Sequence, residues 1–276
     1  MAEGIVRAVL SRPDGAAGAL GLALLAALAI AAPILVPGDP LAMAGRPLLA
    51  PFADPALPLG TDRLGRSIAA GLLHGARASL VTGLAVAAIA LGAGAVCGAT
   101  AGYLGGAVDE VLMRLADAVQ TVPSFLLAMA IVSVAGPSPG GVVLALAAGS
   151  WTATARMVRA EVLSLRGLAF VEASRLFGRP ALEIALRVVL PNALAPAIAL
   201  AAVVVAGAIL SEAALAFLGL SDPNRASWGA MIAEGRSVLR TAPHVAIAPG
   251  LALFVTVLAV ALFGEGLRKG LAGRAA

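Results

Sequence analysis

The chain has 276 residues, 61% of them hydrophobic and only 12% charged, with a net charge of +4 and a mean hydropathy of +0.99. A soluble domain is nearer half apolar and a quarter charged, so the polar groups here are too few to cover a water-facing surface. No strand-like alternation marks an outer-membrane barrel, and a polytopic all-α membrane protein with the lipid bilayer as its main solvent is the reading that remains. The basic balance gives a pI near 10.5. Its arginines are scattered between apolar runs, where retention on one side of a membrane accounts for them and nucleic acid is not implied.

A spanning helix needs about 20 mostly apolar residues, and six windows qualify. Residues 1–15 carry Arg7 and Arg12 ahead of the first window, 16–36. Its apolar core exceeds the roughly 7–15 residues of a cleaved signal, so it reads as a retained anchor. Residues 37–77 follow as an expected external loop, and then a core over 78–264 holds windows 78–101, 111–135, 140–158, 193–219 and 244–264, leaving 265–276 as a tail. With the N-terminus inside, twelve basic residues fall in inner segments and seven in outer ones, which places both termini in the cytoplasm. Pro123 sits near the middle of the third window, where it removes a backbone hydrogen bond and kinks the helix. Pro196 lies at the start of the fifth, where proline costs less. Gly94, Gly98 and Gly102 repeat at a spacing that permits close helix contact, and the lone Cys97 is a small filler with no intrachain partner.

Between the fourth and fifth windows lies a charged island, 159–192. From Leu168 to Phe177 the sequence suits a helix with Leu168, Phe170 and Val171 on an apolar surface and Glu172, Arg175 and Arg179 on a charged one. Gly178 offers a left-handed helix end and Pro180 a first-turn proline for a second helix, in which Glu183 and Arg187 are an i, i+4 pair. Leu190-Pro191-Asn192 leads into the fifth window. On physics alone, this is either a helix that plugs into a soluble partner or one that lies on the membrane surface.

Glu172-Ala173-Ser174, Gly178, Val188 and Leu190-Pro191 resemble the E-A-A…G…I-x-L-P cytoplasmic loop of importer-type ABC permeases, with Ser174 in place of the second Ala and Val188 in place of Ile. The likeness continues in chain order. L-P-L-G-T-D-R-L-G-R (57–66), G-A-R-A-S-L (75–80), G-Y-L-G-G-A-V-D-E-V-L-M-R (102–114), A-R-M-V-R-A-E-V-L-S-L-R (155–166), S-E-A-A-L-A-F-L-G-L (211–220), S-W-G-A-M-I (227–232) and G-E-G-L-R (264–268) are similar to the second-type permease subunit of dipeptide, oligopeptide and nickel importers. The link 221–226 is a little shorter than usual there.

The resemblance implies a type I importer permease fold in the bacterial inner membrane. It further implies a heterodimer with a homologous permease, two cytoplasmic ATPases, and an extracytoplasmic substrate-binding protein delivering peptides, glutathione-like molecules or nickel chelates. The ATPase-coupling residues it implies are Leu168, Phe170, Val171, Glu172, Ala173, Ser174, Phe177, Gly178, Leu190 and Pro191. ATP and Mg would belong to the partner ATPases. This chain offers no Gly-Lys-Ser/Thr phosphate loop, since its one lysine, Lys269, precedes Gly270, so no enzyme activity and no cofactor of its own is expected.

Glu212, in the fifth window, is costly in a membrane unless paired or hydrated. It is a candidate for the translocation path together with Ser211 and Asp117, or else an interhelical hydrogen-bonding group. Asp117 and Arg114, three residues apart, are expected to satisfy each other. His74 and His244 form no metal-ligand cluster. The rival functions are an ion-coupled secondary carrier, for which only Glu212 speaks, and a non-transporting scaffold.

Overall fold

A computed structural model describes residues 9–272, which leaves Arg7 and Arg274 of the charge count outside the described residues. Among the described residues, the architecture is carried by α1 Pro13–Leu35, α2 Ile68–Leu104, α3 Gly106–Gln120, α4 Ser124–Ala135, α5 Pro139–Leu165, α6 Ala169–Leu176, α7 Ala181–Glu183, α8 Leu190–Phe217, α9 Trp228–Gly235 and α10 His244–Ala272. Five of them (α1, α2, α5, α8 and α10) are long and apolar enough to cross a bilayer. The third window is different. It divides into α3 and α4, which meet at an angle of 80°, so the pair makes a sixth span only if counted together. Pro123 explains the division: it stands in extended backbone at the N-cap of α4, where its ring and missing N–H prevent a continuous helix.

The window edges shift where charge had seemed to end a helix. α2 starts at Ile68, includes His74 and Arg77, and runs for 37 residues, about 55 Å at 1.5 Å per residue. Its first turn is capped by Ser67, whose hydroxyl accepts from Ala70 N. The non-helical stretch after α1 therefore ends at residue 67 rather than 77.

Small residues set the packing. A Cβ on Gly98 would lie 2.2 Å from Ala155 O, and one on Gly94 would lie 2.6 Å from Thr154 Cβ. The glycine repeat thus brings α2 and α5 to backbone contact within the chain. Gly18 of α1 lies equally close to α10, where a Cβ would be 2.3 Å from Phe263 N, and Lys269 Nζ reaches Asp14 Oδ2 at 2.8 Å.

Between α7 and α8 the backbone widens into a π-helix, Ile184–Val189, with the Leu190 N–H donating to Ala185 O. Pro191 is the cause: an α-turn would press its ring on the Arg187 carbonyl, and the wider turn relieves that clash. The Asn192 side chain donates to Val188 O at 2.7 Å.

At the end of the bundle remote from α6, residues 37–67 and 218–243 fold into a cap. Thr61 Oγ1 accepts from Leu49 N at 2.9 Å and donates to Arg46 O at 2.5 Å. His244 Nε2 donates to Leu49 O at 3.1 Å. Gly60 (φ +76°) has Leu49 O where a Cβ would go, at 2.1 Å, so the glycine of L-P-L-G-T is required by a close backbone approach.

Candidate functional site

The charged island forms a bolted bracket. α6 ends in a Schellman motif: Gly178 (φ +73°) donates to Arg175 O at 2.9 Å, and Arg179 N reaches back to Ser174 O at 3.3 Å. The bracket is tied to the end of α2 at two points. Tyr103 Oη donates to Ala181 O at 2.8 Å, and Arg166 Nη1 donates to Gly102 O at 3.0 Å. It is tied to α5 and α8 by an apolar plug of Val158, Val162, Val171, Ile184, Val189 and Ala193.

This plug separates two groups that the sequence had placed on one apolar surface. Val171 is fully buried against the bundle, whereas Leu168 and Phe170 are exposed. The outward apolar surface is instead extended by Leu176 (89% exposed) and Phe177 (85%), with Leu182 and Leu186 from the following turn. Leu176, Leu182 and Leu186 were missed in the sequence, although Leu176-Phe177 directly before a helix-ending glycine is a visible signal. Glu172 and Pro191 are exposed, and Ala173, Ser174 and Leu190 are half-buried. The Ser174 hydroxyl turns onto Phe170 O at 2.9 Å.

The break between α3 and α4 opens a cavity of about 460 Å³ bounded by α3, α4, α5 and α8. Its polar lining is Gln120, Ser124, Ser150, Thr152 and Ser211, set among apolar residues such as Phe125 and Val204, and no charged residue takes part. Gln120 Nε2, at the end of α3, donates to Thr152 Oγ1 of α5 at 2.8 Å. Irregular backbone at membrane depth is tolerated where it lines such a space.

Of the three residues named for a path, only Ser211 lines this cavity. Asp117 is exposed on α3 and forms an ion pair with Arg156 of α5, while Arg114 pairs with Glu110 at 2.7 Å. The expected Arg114–Asp117 pair therefore does not form, because α5 supplies a nearer guanidinium. Alongside it, Asp109 and Arg159 make a two-point contact at 2.5 and 2.6 Å. Glu212 points away from the cavity and is 7% exposed. Its two carboxyl oxygens accept from Ser79 Oγ at 3.2 Å and Ser227 Oγ at 3.1 Å, which is the interhelical alternative read from the sequence. Among the described residues, no group of three or more His, Cys, Asp or Glu is placed to hold a metal ion.

At the cap, Glu234 lies near Arg66, 3.6 Å away, and Asp62. Burial, and then the Asp62 charge, push its carboxyl above the usual range, against the pull of Arg66 and Arg63.

Comparison with known proteins identifies the family and the fold. Residues 91–275 match the family described as the binding-protein-dependent transport system inner membrane component. A probable peptide ABC transporter permease of Sinorhizobium fredii is 42% identical over 243 residues, 87% of this chain and 82% of the relative. The di/tripeptide transport system permease of Pseudomonas aeruginosa is 39% identical, over 92% of this chain and 86% of its own length. A glutathione transport system permease of Pectobacterium atrosepticum is 40% identical over 77% and 71% of the two chains. Among solved structures, a chain of the MetNI methionine ABC transporter in inward-facing form superposes with a TM-score of 0.60 at 17% identity, over 73% of this chain and 96% of that one, and shares the fold. The chain belongs to the binding-protein-dependent transport system inner membrane component family and is a multi-pass inner-membrane permease subunit of an ABC importer.

Proposed function

We propose that this permease forms half of a peptide translocation pathway. It pairs with a homologous permease, and the α6 bracket seats in two cytoplasmic ATPases' side of the assembly, one ATPase for each permease. Family membership implies ATPase and binding-protein partners, and the ATP and Mg are theirs. The bracket end faces the cytoplasm together with both termini, and the cap faces the binding protein outside. Relatives named for peptides, di/tripeptides and glutathione favour small peptide-like cargo over nickel chelates. An uncharged cavity lined by hydroxyls and one amide suits molecules whose backbone, rather than net charge, is the common feature.

The observation that carries this reading is continuity. One rod, α8, begins at the π-turn of the bracket and bears Leu200, Val203, Val204 and Ser211 on the cavity wall. Because the bracket is held at α2, α5 and α8 together, force on Leu168, Phe170, Leu176 and Phe177 moves the helices bounding the cavity rather than bending a loop. Closure of the ATPases on ATP opens the path outward, and hydrolysis restores the inward-open form, an alternating-access cycle.

Two variants test it in transport assays with the whole complex. Glu172→Arg places a cation on the docking surface, and Gly178→Pro fills the left-handed cap with a residue that cannot adopt it. Both are expected to insert in the membrane and to abolish ATP-driven uptake. Normal uptake with wild-type coupling in both would overturn the reading.

A further inference from the structure

We infer that Glu212 is a positioning residue that joins the outer cap to α8, so that a load on the cap reaches the helix lining the cavity. The inference rests on the proposal that a binding protein docks at the cap. Glu212 immediately follows Ser211, and one step around a helix is about 100°, so Ser211 faces the cavity while Glu212 is turned away from it onto an adjacent packing surface. There its two oxygens serve two different elements: Ser79 belongs to α2, and Ser227 is the N-cap residue of α9 in the cap.

The neighbouring residues leave the joint no slack. Trp228, which begins α9, is 1% exposed, and its indole N–H donates to Leu72 O of α2 at 3.0 Å. A Cβ on Gly75 would touch that indole at 2.8 Å, and a Cβ on Gly229 would lie 2.1 Å from Ala213 O of α8. The first turn of α9 is therefore wedged between α2 and α8, and the Glu212 carboxyl, carried by α8, bonds both to α2 and to the N-cap of α9. No basic side chain lies within ion-pairing distance of Glu212 among the described residues. A carboxyl at this depth is costly unless bonded, and a leucine would fill the same volume. What the carboxyl adds is two acceptors aimed at two elements. Glutamine reproduces most of that, one oxygen accepting and the amide donating to the second hydroxyl; leucine reproduces none of it.

The test uses the complete transporter in lipid nanodiscs with its binding protein. One readout is the stimulation of ATP hydrolysis by liganded binding protein, split into basal rate, maximal rate and half-saturating binding-protein concentration. The other is amide hydrogen exchange across residues 228–235. Glu212→Leu is expected to cut stimulation by about 5-fold or more while basal hydrolysis stays within about twofold. It should also speed exchange in α9 by roughly 10-fold. Glu212→Gln is expected to keep both near wild type. If the leucine variant fails to assemble, Ser79→Ala combined with Ser227→Ala leaves Glu212 in place and should give the same two changes.

Unchanged stimulation in these variants overturns the inference. So does loss of stimulation in both Glu212→Leu and Glu212→Gln with α9 exchange unaltered, which would make the charge itself the functional element. Absence of any binding-protein stimulation in the wild type would count against the docking reading instead, and the exchange readout would still judge the joint.

Discussion

The two ends of the molecule handle hydrophobic surface in opposite ways. At the cap, the largest aromatic side chain, Trp228, is turned inward, hydrogen-bonded and wedged on glycines. At the bracket, Leu176 and Phe177 stand almost free while the backbone that carries them is held by Tyr103, Arg166 and a valine-rich plug. Exposed apolar groups on a fixed backbone are what a docking surface requires, because little order must be gained on binding. Buried anchors on an irregular backbone are what an end requires if it is to keep its own shape. Stability should therefore reside at the cap and in the packed span, and coupling at the bracket.

The sharpest way to break that contrast is Trp228→Ala. Removing a fully buried indole should cost about 3–5 kcal/mol, read as a large fall in the thermal transition of the purified permease complex. A small change would mean that the cap is not a packed unit. Next comes the rod between the ends. Gly98→Val presses a side chain onto Ala155 O and should destabilise by about 1–3 kcal/mol through overpacking, whereas Gly92→Ala, with open space around it, should be neutral in the same melt. At the bracket, Leu176→Ser with Phe177→Ser should leave stability within about 0.5 kcal/mol, as for other exposed sites, yet abolish co-purification of the ATPases. Retained association would remove the docking surface from the argument.

The smallest effect is a pH slope at the cap. Glu234 titrates above its ordinary value of 4.5, so the folded state holds its proton more tightly than the unfolded chain does. The stability this contributes is complete below the ordinary value and is lost as pH rises through the elevated folded one. Glu234→Gln should flatten that slope in melting curves recorded from pH 4.5 upward, and an unchanged slope would assign it elsewhere.

Composition and the spacing of apolar runs were enough to determine the membrane class and the span order, because lipid admits little besides long apolar helices. The turn chemistry of the bracket was legible for a similar reason: Gly178 and Pro180 act within a few residues of themselves. The family motif also marked Glu172, and the cost of a carboxylate within a span marked Glu212. What local pattern could not convey was direction. Val171 and Phe170 are adjacent and equally apolar, yet one fills the plug and the other faces out, and only the positions of α5 and α8 decide which. Likewise Asp117 chose Arg156 over Arg114, Glu212 turned from the cavity to two serines, and Pro123 made an 80° break where a kink was expected. Each of these outcomes depends on residues distant in sequence that share a small volume, and a one-dimensional pattern carries no record of which elements will be neighbours.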